Sequence, residues 1–282
     1  MKRLSIITIN FNNLEGLKKT AESVINQTWK DFEWIIIDGG STDGSKEYIV
    51  NLNDNLNHSG WNPITYWCSE QDKGIYNAMN KGIAKASGEY LNFMNSGDCF
   101  YESNSLEKVL PYLKNQDADI VVGKAKKFPI GHPTQETLAR TILLDTLGCH
   151  QATFIKADLN QKYPYDESLK IVSDWKFFVL AYHNEKLSIR FIDSLLAVME
   201  PNGISTIPET HAEQIVERKK VIEELYGKEV VDLIIEYKKL VKNEFILPIT
   251  RLLQNDLFLY RLLRRCIRII MMLYNVRHRN AK

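Results

Sequence analysis

Residues 90–100 read Tyr-Leu-Asn-Phe-Met-Asn-Ser-Gly-Asp-Cys-Phe. The first half of this stretch is an apolar and aromatic run, which is typical of a buried strand. Its second half changes abruptly to the polar turn Asn95-Ser96-Gly97-Asp98, which places one carboxylate just past the predicted strand. Ligands of open α/β sheets bind at the C-terminal ends of the strands. Asp98 is therefore either a turn-forming residue or part of a ligand site, and the rest of the chain has to decide.

Three earlier predicted strands end in the same way. The runs at 4–9, 34–37 and 64–68 have the length and composition of buried parallel strands, and helical periodicity lies between them. Each run is followed by a polar cluster: Asn10/Asn12, Asp38/Ser41/Asp43 and Glu70/Asp72. This alternation predicts an α/β fold with a parallel, doubly wound sheet. Right-handed crossovers bring such clusters to one edge, which indicates a shared ligand site.

Composition and charge exclude several classes of protein. The 282 residues are 44% hydrophobic and 25% charged, as in ordinary globular proteins, and a net charge of +1 argues against general nucleic-acid binding. The four cysteines lack metal-ligand spacing, which favours reduced thiols in a cytosolic protein. No signal peptide and no apolar run of about 18 residues are found, so we expect a cytoplasmic protein without a spanning helix.

The strand ends also indicate the kind of ligand. The Gly-x-Gly-x-x-Gly fingerprint and the P-loop pattern are both absent, so a glycine-rich helix N-terminus is not expected to hold phosphate. Carboxylates at the site indicate instead a divalent cation with oxygen ligands that bridges a diphosphate. Asp38 can in addition accept a hydrogen bond from a base imide or a ribose hydroxyl.

Three motifs resemble the family 2 glycosyltransferases of the GT-A fold, which occur in bacterial surface-polysaccharide assembly. They are Ser5–Asn12, Ile37–Gly44 and Glu70–Gly82, and with the strand at Tyr90 they cover roughly residues 4–100. The resemblance implies a Rossmann-like mixed α/β sheet flanked by helices, with a C-terminal helical extension. It also implies inverting transfer of a sugar from a nucleotide diphosphate, which we expect to be UDP. The acceptor would be a glycan or a polyprenyl-linked saccharide in polysaccharide biosynthesis.

The resemblance assigns the nucleotide site residue by residue. Asn10 and Phe11 fall in the loop that packs around the nucleotide, and Ser96 belongs to the same site. Asp38 aligns with the carboxylate that contacts the nucleobase, and Asp72 falls near the base and ribose.

The metal motif departs from the family pattern. The turn at 95–98 occupies the place of the family's Asp-x-Asp, and Ser96 stands where the first Asp would be. Asp98 alone is therefore expected to coordinate Mn²⁺ or Mg²⁺, with diphosphate oxygens and waters completing the shell.

The resemblance places the catalytic base near the segment Val172–Phe178. Asp174 is the predicted base, which would deprotonate the acceptor hydroxyl as it attacks the anomeric carbon. The alternative is a simple cap of the following helix, and Asp166 is the second candidate for the base. His150, which precedes a glutamine, is expected beside the sugar and phosphate; its alternative is a structural histidine.

The predicted domain organisation follows the motifs. Residues 1–206 form the catalytic domain, with a nucleotide-sugar half at about 1–123 and an acceptor half at about 124–206. Residues 207–282 form a helical segment.

The end of the chain is basic and amphipathic. Residues 245–282 carry eight Lys or Arg and one Asp, whereas the preceding residues carry 28 basic and 34 acidic groups. Arg261, Arg264, Arg265 and Arg268 recur at helical spacing in one stripe, with apolar residues around it. This pattern predicts a peripheral helix on the inner leaflet of the membrane, and the alternative is packing against protein. Aromatic residues are poorly interleaved, which argues against nucleic acid.

Two other functions stay open. A sugar nucleotidyltransferase would need a first loop rich in Gly and Arg or Lys, which Asn10-Phe11-Asn12-Asn13 does not provide. A catalytically inactive module that binds sugar nucleotides or glycans is supported by Ser96 and opposed by Asp98 and Asp174.

Overall fold

The four apolar runs identified in the sequence are neighbouring strands of one sheet. The computed structural model describes residues 3–114, 118–126, 142, 147–200, 203 and 207–242. The strands are β1 (Leu4–Asn10), β2 (Phe32–Asp38), β3 (Ile64–Ser69) and β4 (Tyr90–Phe93). β1 pairs in parallel with β2 and β4, and β2 pairs in parallel with β3. Because the last residues of β1, β2 and β3 are in register, their polar clusters meet at one edge, as predicted.

The remaining strands make the sheet mixed. They are β5 (Cys99–Phe100), β6 (Ile120–Lys126), β7 (Thr153–Lys156) and β8 (Ile189–Val198). The order across the sheet is β3-β2-β1-β4-β7-β6-β8-β5. β7 is antiparallel to both β4 and β6, β6 is parallel to β8, and β5 is antiparallel to β8.

Strand β8 is a single run of ten residues. This strand stays paired with β6 through two register shifts, which accommodate its irregular middle.

Helices flank the sheet in alternation with the strands. They are α1 (Leu14–Ile25), α2 (Ser45–His58), α3 (Ile75–Lys85), α4 (Ser105–Lys114), α5 (Ala157–Lys162), α6 (Ser173–Asn184), α7 (His211–Tyr226) and α8 (Lys228–Lys242). The side chain of Asn13 caps α1 by accepting from the N–H of Gly16 at 3.1 Å.

Close packing fixes α3 against the central strand. Every residue of β1 and β2 is buried, as expected for strands covered on both faces. A Cβ added at Gly82 of α3 would lie 2.4 Å from Cγ2 of Ile7, so a glycine is needed at this approach. The first turn of α3 is thereby held beside the edge where the parallel strands end.

The chain divides into two compact units, Met1–Arg218 and Lys219–Lys282, and each is described by itself. The first contains the sheet and α1 to α6, and the described part of the second contains the end of α7 and all of α8. The predicted boundary after residue 206 stays a prediction. The predicted arginine stripe at 261–268 lies outside the described residues.

No helix in the described ranges combines the length and the apolar character that a membrane crossing requires.

Candidate active site

A cavity of about 810 Å³ lies at the edge where the parallel strands end. It is lined by seven of the eight side chains predicted for the site, which are Asn10, Phe11, Asp72, Ser96, Asp98, His150 and Asp174. The residues at the strand ends therefore share this cavity with His150, Gln151 and Asp174 of α6. The eighth residue, Asp38, is not part of the described lining.

Asp38 lies beneath the cavity, where its carboxylate organises the loops above it. Its side chain is fully buried and accepts four hydrogen bonds. Asn10 Nδ2 and Ser41 Oγ donate to Oδ1 at 2.7 and 2.6 Å, and Ser41 N and Ser69 Oγ donate to Oδ2 at 3.0 and 2.6 Å. Burial by itself would raise the pKa of Asp38, but these donors outweigh it and hold the pKa below its ordinary value. The predicted contact between Asp38 and a nucleobase stays a prediction.

The loop after β1 is tied to the loop after β2. The N–H of Asn12 donates to Oγ of Ser41 at 2.7 Å, and Oδ1 of Asn12 accepts from the N–H of Thr42 at 2.8 Å. The preceding residue, Phe11, lines the cavity with 67% of its surface exposed. An apolar ring in such a position offers a stacking surface to a planar ligand.

Asp72 reaches the cavity from the loop after β3. Its carboxylate forms an ion pair with Lys81 at 2.7 Å, and Lys81 also pairs with Glu70. A Cβ added at Gly39 would lie 3.0 Å from Oδ2 of Asp72, so the missing side chain at position 39 leaves room for this carboxylate.

The turn after β4 is anchored from below by α1. Thr20 Oγ1 accepts from the N–H of Gly97 at 3.0 Å and donates to the carbonyl of Asp98 at 2.6 Å. Gly97 has a φ of +101°, which a residue with a side chain rarely adopts. The N–H of Asp98 donates to the carbonyl of Asn95 at 2.9 Å, which closes the turn. Ser96 is held on the other side, where its hydroxyl donates to the carbonyl of Asn13 at 3.1 Å.

The carboxylate of Asp98 is buried and holds two segments that are distant in sequence. Nε2 of Gln151 donates to Oδ2 at 2.6 Å, and the N–H of Glu200 donates to Oδ1 at 2.7 Å. Burial raises the pKa of Asp98 and outweighs the opposing effects of His150 and these two donors. Asp98 therefore links the turn at 95–98 by hydrogen bonds to Gln151, which precedes β7, and to Glu200, which follows β8.

Whether a divalent cation fits at this turn depends on the oxygen ligands that the turn and its neighbours offer. No group of three His, Cys, Asp or Glu side chains suited to a metal ion occurs within the described part of the chain. Beside Asp98, however, Oδ1 of Asn95 and Oε1 of Gln151 are buried with no hydrogen-bond partner among the described residues. A carboxylate has about four lone-pair sites, and Asp98 uses two for Gln151 and Glu200. Because Mg²⁺ and Mn²⁺ take oxygen ligands, often one or two carboxylates plus substrate phosphates, this set fits a cation held largely by a diphosphate.

Asp174 lies in the first turn of α6 with part of its carboxylate exposed to the cavity. Its side chain is 32% exposed. Oδ1 accepts from the N–H of Trp175 at 2.9 Å and from the hydroxyl of Tyr76 at 3.1 Å, and Oδ2 lies 3.7 Å from Nδ1 of His150. Burial alone would raise the pKa of Asp174, but His150, with the N–H and the hydroxyl, lowers it below its ordinary value. The side chain is thus an ionised acceptor of protons at neutral pH.

His150 connects this carboxylate to the turn after β4. Its Nε2 lies 3.1 Å from Nδ2 of Asn95, which donates to it, and its Nδ1 faces Asp174. The residues around it are held to β4 because Nδ2 of Asn92 donates to the carbonyls of Gln151 and Thr153 at 3.0 and 3.1 Å.

The second candidate base, Asp166, does not line the described cavity. Its Oδ2 pairs with Nζ of Lys176 at 2.6 Å, and its Oδ1 accepts from both the N–H and the hydroxyl of Ser168. Although burial opposes them, these partners lower the pKa of Asp166 to about 2. Asp166 is therefore suited to supporting the loop before α6.

Sequence reasoning gave no role to Tyr76, Gln151 or Glu200, which hold Asp174 and Asp98 in place. Tyr76 lies in a quoted motif and Gln151 follows His150, so their positions were visible in the sequence. Glu200 contacts Asp98 from 102 residues away, and no local pattern could have shown it.

Comparison with known proteins identifies the family. The sequence profile of the family described as "Glycosyl transferase family 2" matches residues 5–168. A PGL/p-HBAD biosynthesis glycosyltransferase of Mycobacterium bovis (strain BCG / Pasteur 1173P2) is 30% identical over 199 residues, which cover 68% of this chain and 75% of that protein. The poly(ribitol-phosphate) beta-N-acetylglucosaminyltransferase TarP of Staphylococcus aureus (strain N315) is 34% identical over 127 residues, or 44% of this chain and 37% of TarP.

Solved structures share the fold. Residues 1–349 of S. aureus TarS, in complex with UDP-GlcNAc, match with a TM-score of 0.58 at 18% identity, over 82% of this chain and 70% of that one. This chain spans 42% of the longer TarS structure. The mannosyltransferase PcManGT from Pyrobaculum calidifontis, in complex with GDP-Man and Mn²⁺, matches with a TM-score of 0.58 at 11% identity, over 81% and 64% of the two chains.

The mixed sheet with its flanking helices has the GT-A fold of these solved structures, which confirms the predicted fold class. The profile match and the relatives then settle the family: this chain belongs to glycosyl transferase family 2, as the sequence motifs predicted.

Proposed function

We propose that this glycosyltransferase inverts the anomeric centre of a UDP-sugar as it transfers the sugar to a hydroxyl of its acceptor. The observation that carries the proposal is the position of Asp174, whose partly exposed carboxylate lines the same cavity as the strand-end residues. A single displacement needs a base on the acceptor side and a stabilised leaving diphosphate on the other side. Asp174 takes the proton of the acceptor hydroxyl as the oxygen attacks the anomeric carbon. The leaving group is UDP.

The donor half of the cavity is assigned to the nucleotide. Phe11 offers its exposed ring to the base, and Asn10, Asp72 and Ser96 supply polar groups around the ribose and phosphates. Asp38 acts on the nucleotide through the loop that it holds, since its own oxygens are occupied by Asn10, Ser41 and Ser69. The UDP and UDP-GlcNAc complexes of TarS support UDP as the nucleotide.

A divalent cation, Mn²⁺ or Mg²⁺, is the proposed cofactor. Asp98 would hold it, with the amide oxygens of Asn95 and Gln151 as further ligands. When bound, such an ion neutralises negative charge on a leaving diphosphate. The Mn²⁺ complex of PcManGT supports the assignment. Because the protein offers one carboxylate there, we expect the ion to bind tightly only together with the donor.

The proposed acceptor is a glycan or a polyprenyl-linked saccharide in the biosynthesis of a surface polysaccharide or glycolipid. The names of the relatives support this class, since one acts in PGL/p-HBAD biosynthesis and TarP modifies poly(ribitol-phosphate). A lipid-linked acceptor would suit the basic segment at 245–282, for which we propose contact with the inner leaflet; this part of the proposal rests on the sequence.

The full-length variant Arg264→Gln/Arg265→Gln should bind vesicles of anionic lipid more weakly, by about 1 kcal/mol per arginine. The control variant Lys18→Gln/Lys46→Gln should bind like the parent, and equal binding by both would count against the inner-leaflet contact.

The function is tested by presenting a panel of nucleotide sugars with Mn²⁺. A donor that binds the folded protein raises its stability, by about 2.7 kcal/mol at a hundred times the dissociation constant. We expect UDP-sugars to stabilise the protein, one of them to release UDP, and the product to have the opposite anomeric configuration by NMR. Release of pyrophosphate from UTP and a sugar phosphate would instead identify a nucleotidyltransferase. Binding with no turnover on any saccharide or lipid-linked acceptor would identify an inactive module.

A further inference from the structure

The helix α7 carries a carboxylate that accepts three consecutive backbone N–H groups just before α6. Oε1 of Glu217 accepts from the N–H of Lys170 at 2.7 Å. Oε2 accepts from the N–H of Ile171 at 3.0 Å and from that of Val172 at 3.2 Å. These partners lie 45 to 47 residues before Glu217 in the sequence, and all four residues belong to the first compact unit.

The three N–H groups lie immediately before α6, and the last of them belongs to its N-cap residue. Val172 is the N-cap residue of α6, and no side chain of its own caps the helix. The first N–H groups of a helix have no partner within it, and a negative charge there is stabilised by the helix dipole. Glu217 thus accepts the N–H of the N-cap residue and of the two residues before it, and it places a negative charge near the N-terminus of α6.

The segment held by Glu217 leads directly into the proposed base. Asp174 follows Val172 by two residues, and its Oδ1 is oriented by the N–H of Trp175 in the same turn. Ile171, one of the three residues bound by Glu217, lines the cavity itself. A change in the path of 170–172 therefore moves the first turn of α6 and the carboxylate of Asp174 with it.

The neighbouring residue of α7 contacts Trp175, the residue that follows the proposed base. The guanidinium of Arg218 lies over the ring of Trp175, 4.9 Å from its centroid. Trp175 is buried, and its Nε1 donates to the carbonyl of Ile142 at 2.7 Å. One turn of α7 thus contacts the backbone before Asp174 and the side chain after it.

We propose that Glu217 is a positioning residue for catalysis, which holds the 170–172 segment so that the carboxylate of Asp174 faces the acceptor hydroxyl. This inference rests on the proposed function, in which Asp174 is the base. Among the described residues, Glu217 does not line the cavity, and its hydrogen bonds go to Lys170, Ile171 and Val172. It therefore acts on the chemical step and leaves donor binding unchanged.

The sharpest variant is Glu217→Gln, which keeps the size of the side chain but replaces one acceptor oxygen with a donor facing the N–H groups. We expect kcat to fall by about tenfold to a hundredfold, the loss that a misplacement of about 1 Å causes, with an unchanged KM for the donor. Glu213→Gln is the matched control. Glu213 lies one turn away on α7 and forms an ion pair with the exposed Nζ of Lys170 at 2.9 Å, away from the backbone that Glu217 holds. That control should keep the parent kcat.

A double-mutant cycle separates positioning from a general structural role. When Asp174→Asn has already removed the base, adding Glu217→Gln should cost no further turnover, whereas a defect elsewhere in the fold would add to the loss. Assays are run well below the melting temperature of each variant, and donor binding is checked by thermal shift. A Glu217→Gln enzyme as active as Glu213→Gln, or losses that add in the double variant, would overturn the inference. If Asp174→Asn instead turns over like the parent, the base assignment of the proposed function fails, which is a different result.

Discussion

The strand-end carboxylates and the carboxylate of α6 line or underlie the same cavity, yet their surroundings differ. Asp38 is fully buried and accepts four hydrogen bonds, and Asp98 is buried and joins two distant segments. Asp174 is about one third exposed, and its Oδ2 lies 3.7 Å from the imidazole of His150. A carboxylate whose lone pairs are filled by backbone and hydroxyl donors stabilises loops, whereas one that keeps a face toward the cavity can exchange a proton. The difference predicts which substitutions should affect turnover and which should affect stability.

The largest effect is expected at Asp174. Asp174→Asn keeps the hydrogen bond from Trp175 but cannot accept a proton, so turnover should fall by about 10²- to 10⁴-fold. Donor binding, measured by thermal shift, should stay that of the parent. Asp166→Asn is the matched control, since Asp166 lies in the same loop region but pairs with Lys176 away from the described cavity. If both variants lose turnover equally, Asp174 is not distinguished as the base.

Asp38 should show the opposite behaviour, with a large effect on stability. Asp38→Asn places an amide N–H₂ against the donors of Ser41 and Ser69, and we expect a loss of about 3 kcal/mol in the free energy of unfolding, measured in urea. Because its pKa in the folded protein is lowered, Asp38 stabilises the fold above its ordinary pKa of 3.8, and this contribution is lost as pH falls through the lowered value. The difference between parent and variant should therefore shrink toward acid pH. A constant difference would show that the charge of Asp38 is not its cause.

Local pattern was enough to predict the elements that carry these residues. The β-branched runs predicted β1 to β3, and the polar residues that follow them predicted where the strands end. Asp174 was placed correctly in the first turn of a helix, because an acidic residue before an aromatic-rich run is a typical helix start.

The surroundings of the carboxylates could not be predicted, because they depend on pairings between distant segments. Asp38 is enclosed by Asn10 from β1 and Ser69 from β3, which only the register of three strands brings together. Gln151 reaches Asp98 across 53 residues, and Glu217 reaches Lys170 across 47. A sequence pattern shows that a carboxylate lies at a strand end, but its burial is decided by the partners that the fold supplies.

Asp98 is buried like Asp38, but it is also the proposed metal ligand. Its substitution should therefore affect stability and the use of Mn²⁺ to different extents. Asp98→Asn sets an amide against two donors, but it also relieves the burial of a charge, since burial already raises the pKa of Asp98. We expect a smaller loss of stability than at Asp38, about 1 kcal/mol. The Mn²⁺ concentration for half-maximal turnover at saturating donor should rise about tenfold or more. Asp72→Asn, in the same cavity but paired with Lys81, should leave the Mn²⁺ titration unchanged, and an unchanged titration for Asp98→Asn would remove Asp98 from the metal site.

The smallest effect is expected at His150, whose imidazole lies beside the base. Burial tends to raise the pKa of Asp174, and the interaction with His150 is the first of those that lower it, followed by the hydrogen bonds from Trp175 and Tyr76. His150→Gln removes the imidazole but keeps polar atoms that can reach Asn95 and Asp174, so the pKa of Asp174 should rise. Because the base works as a carboxylate, the acid limb of the kcat/KM profile should move to higher pH, while turnover well above that limb stays nearly unchanged. His58→Gln, at an exposed position of α2, is the control and should leave the profile in place. An acid limb that stays fixed in His150→Gln would show that the imidazole does not lower the pKa of Asp174. The partly exposed carboxylate would then owe its lowered pKa to the N–H of Trp175 and the hydroxyl of Tyr76.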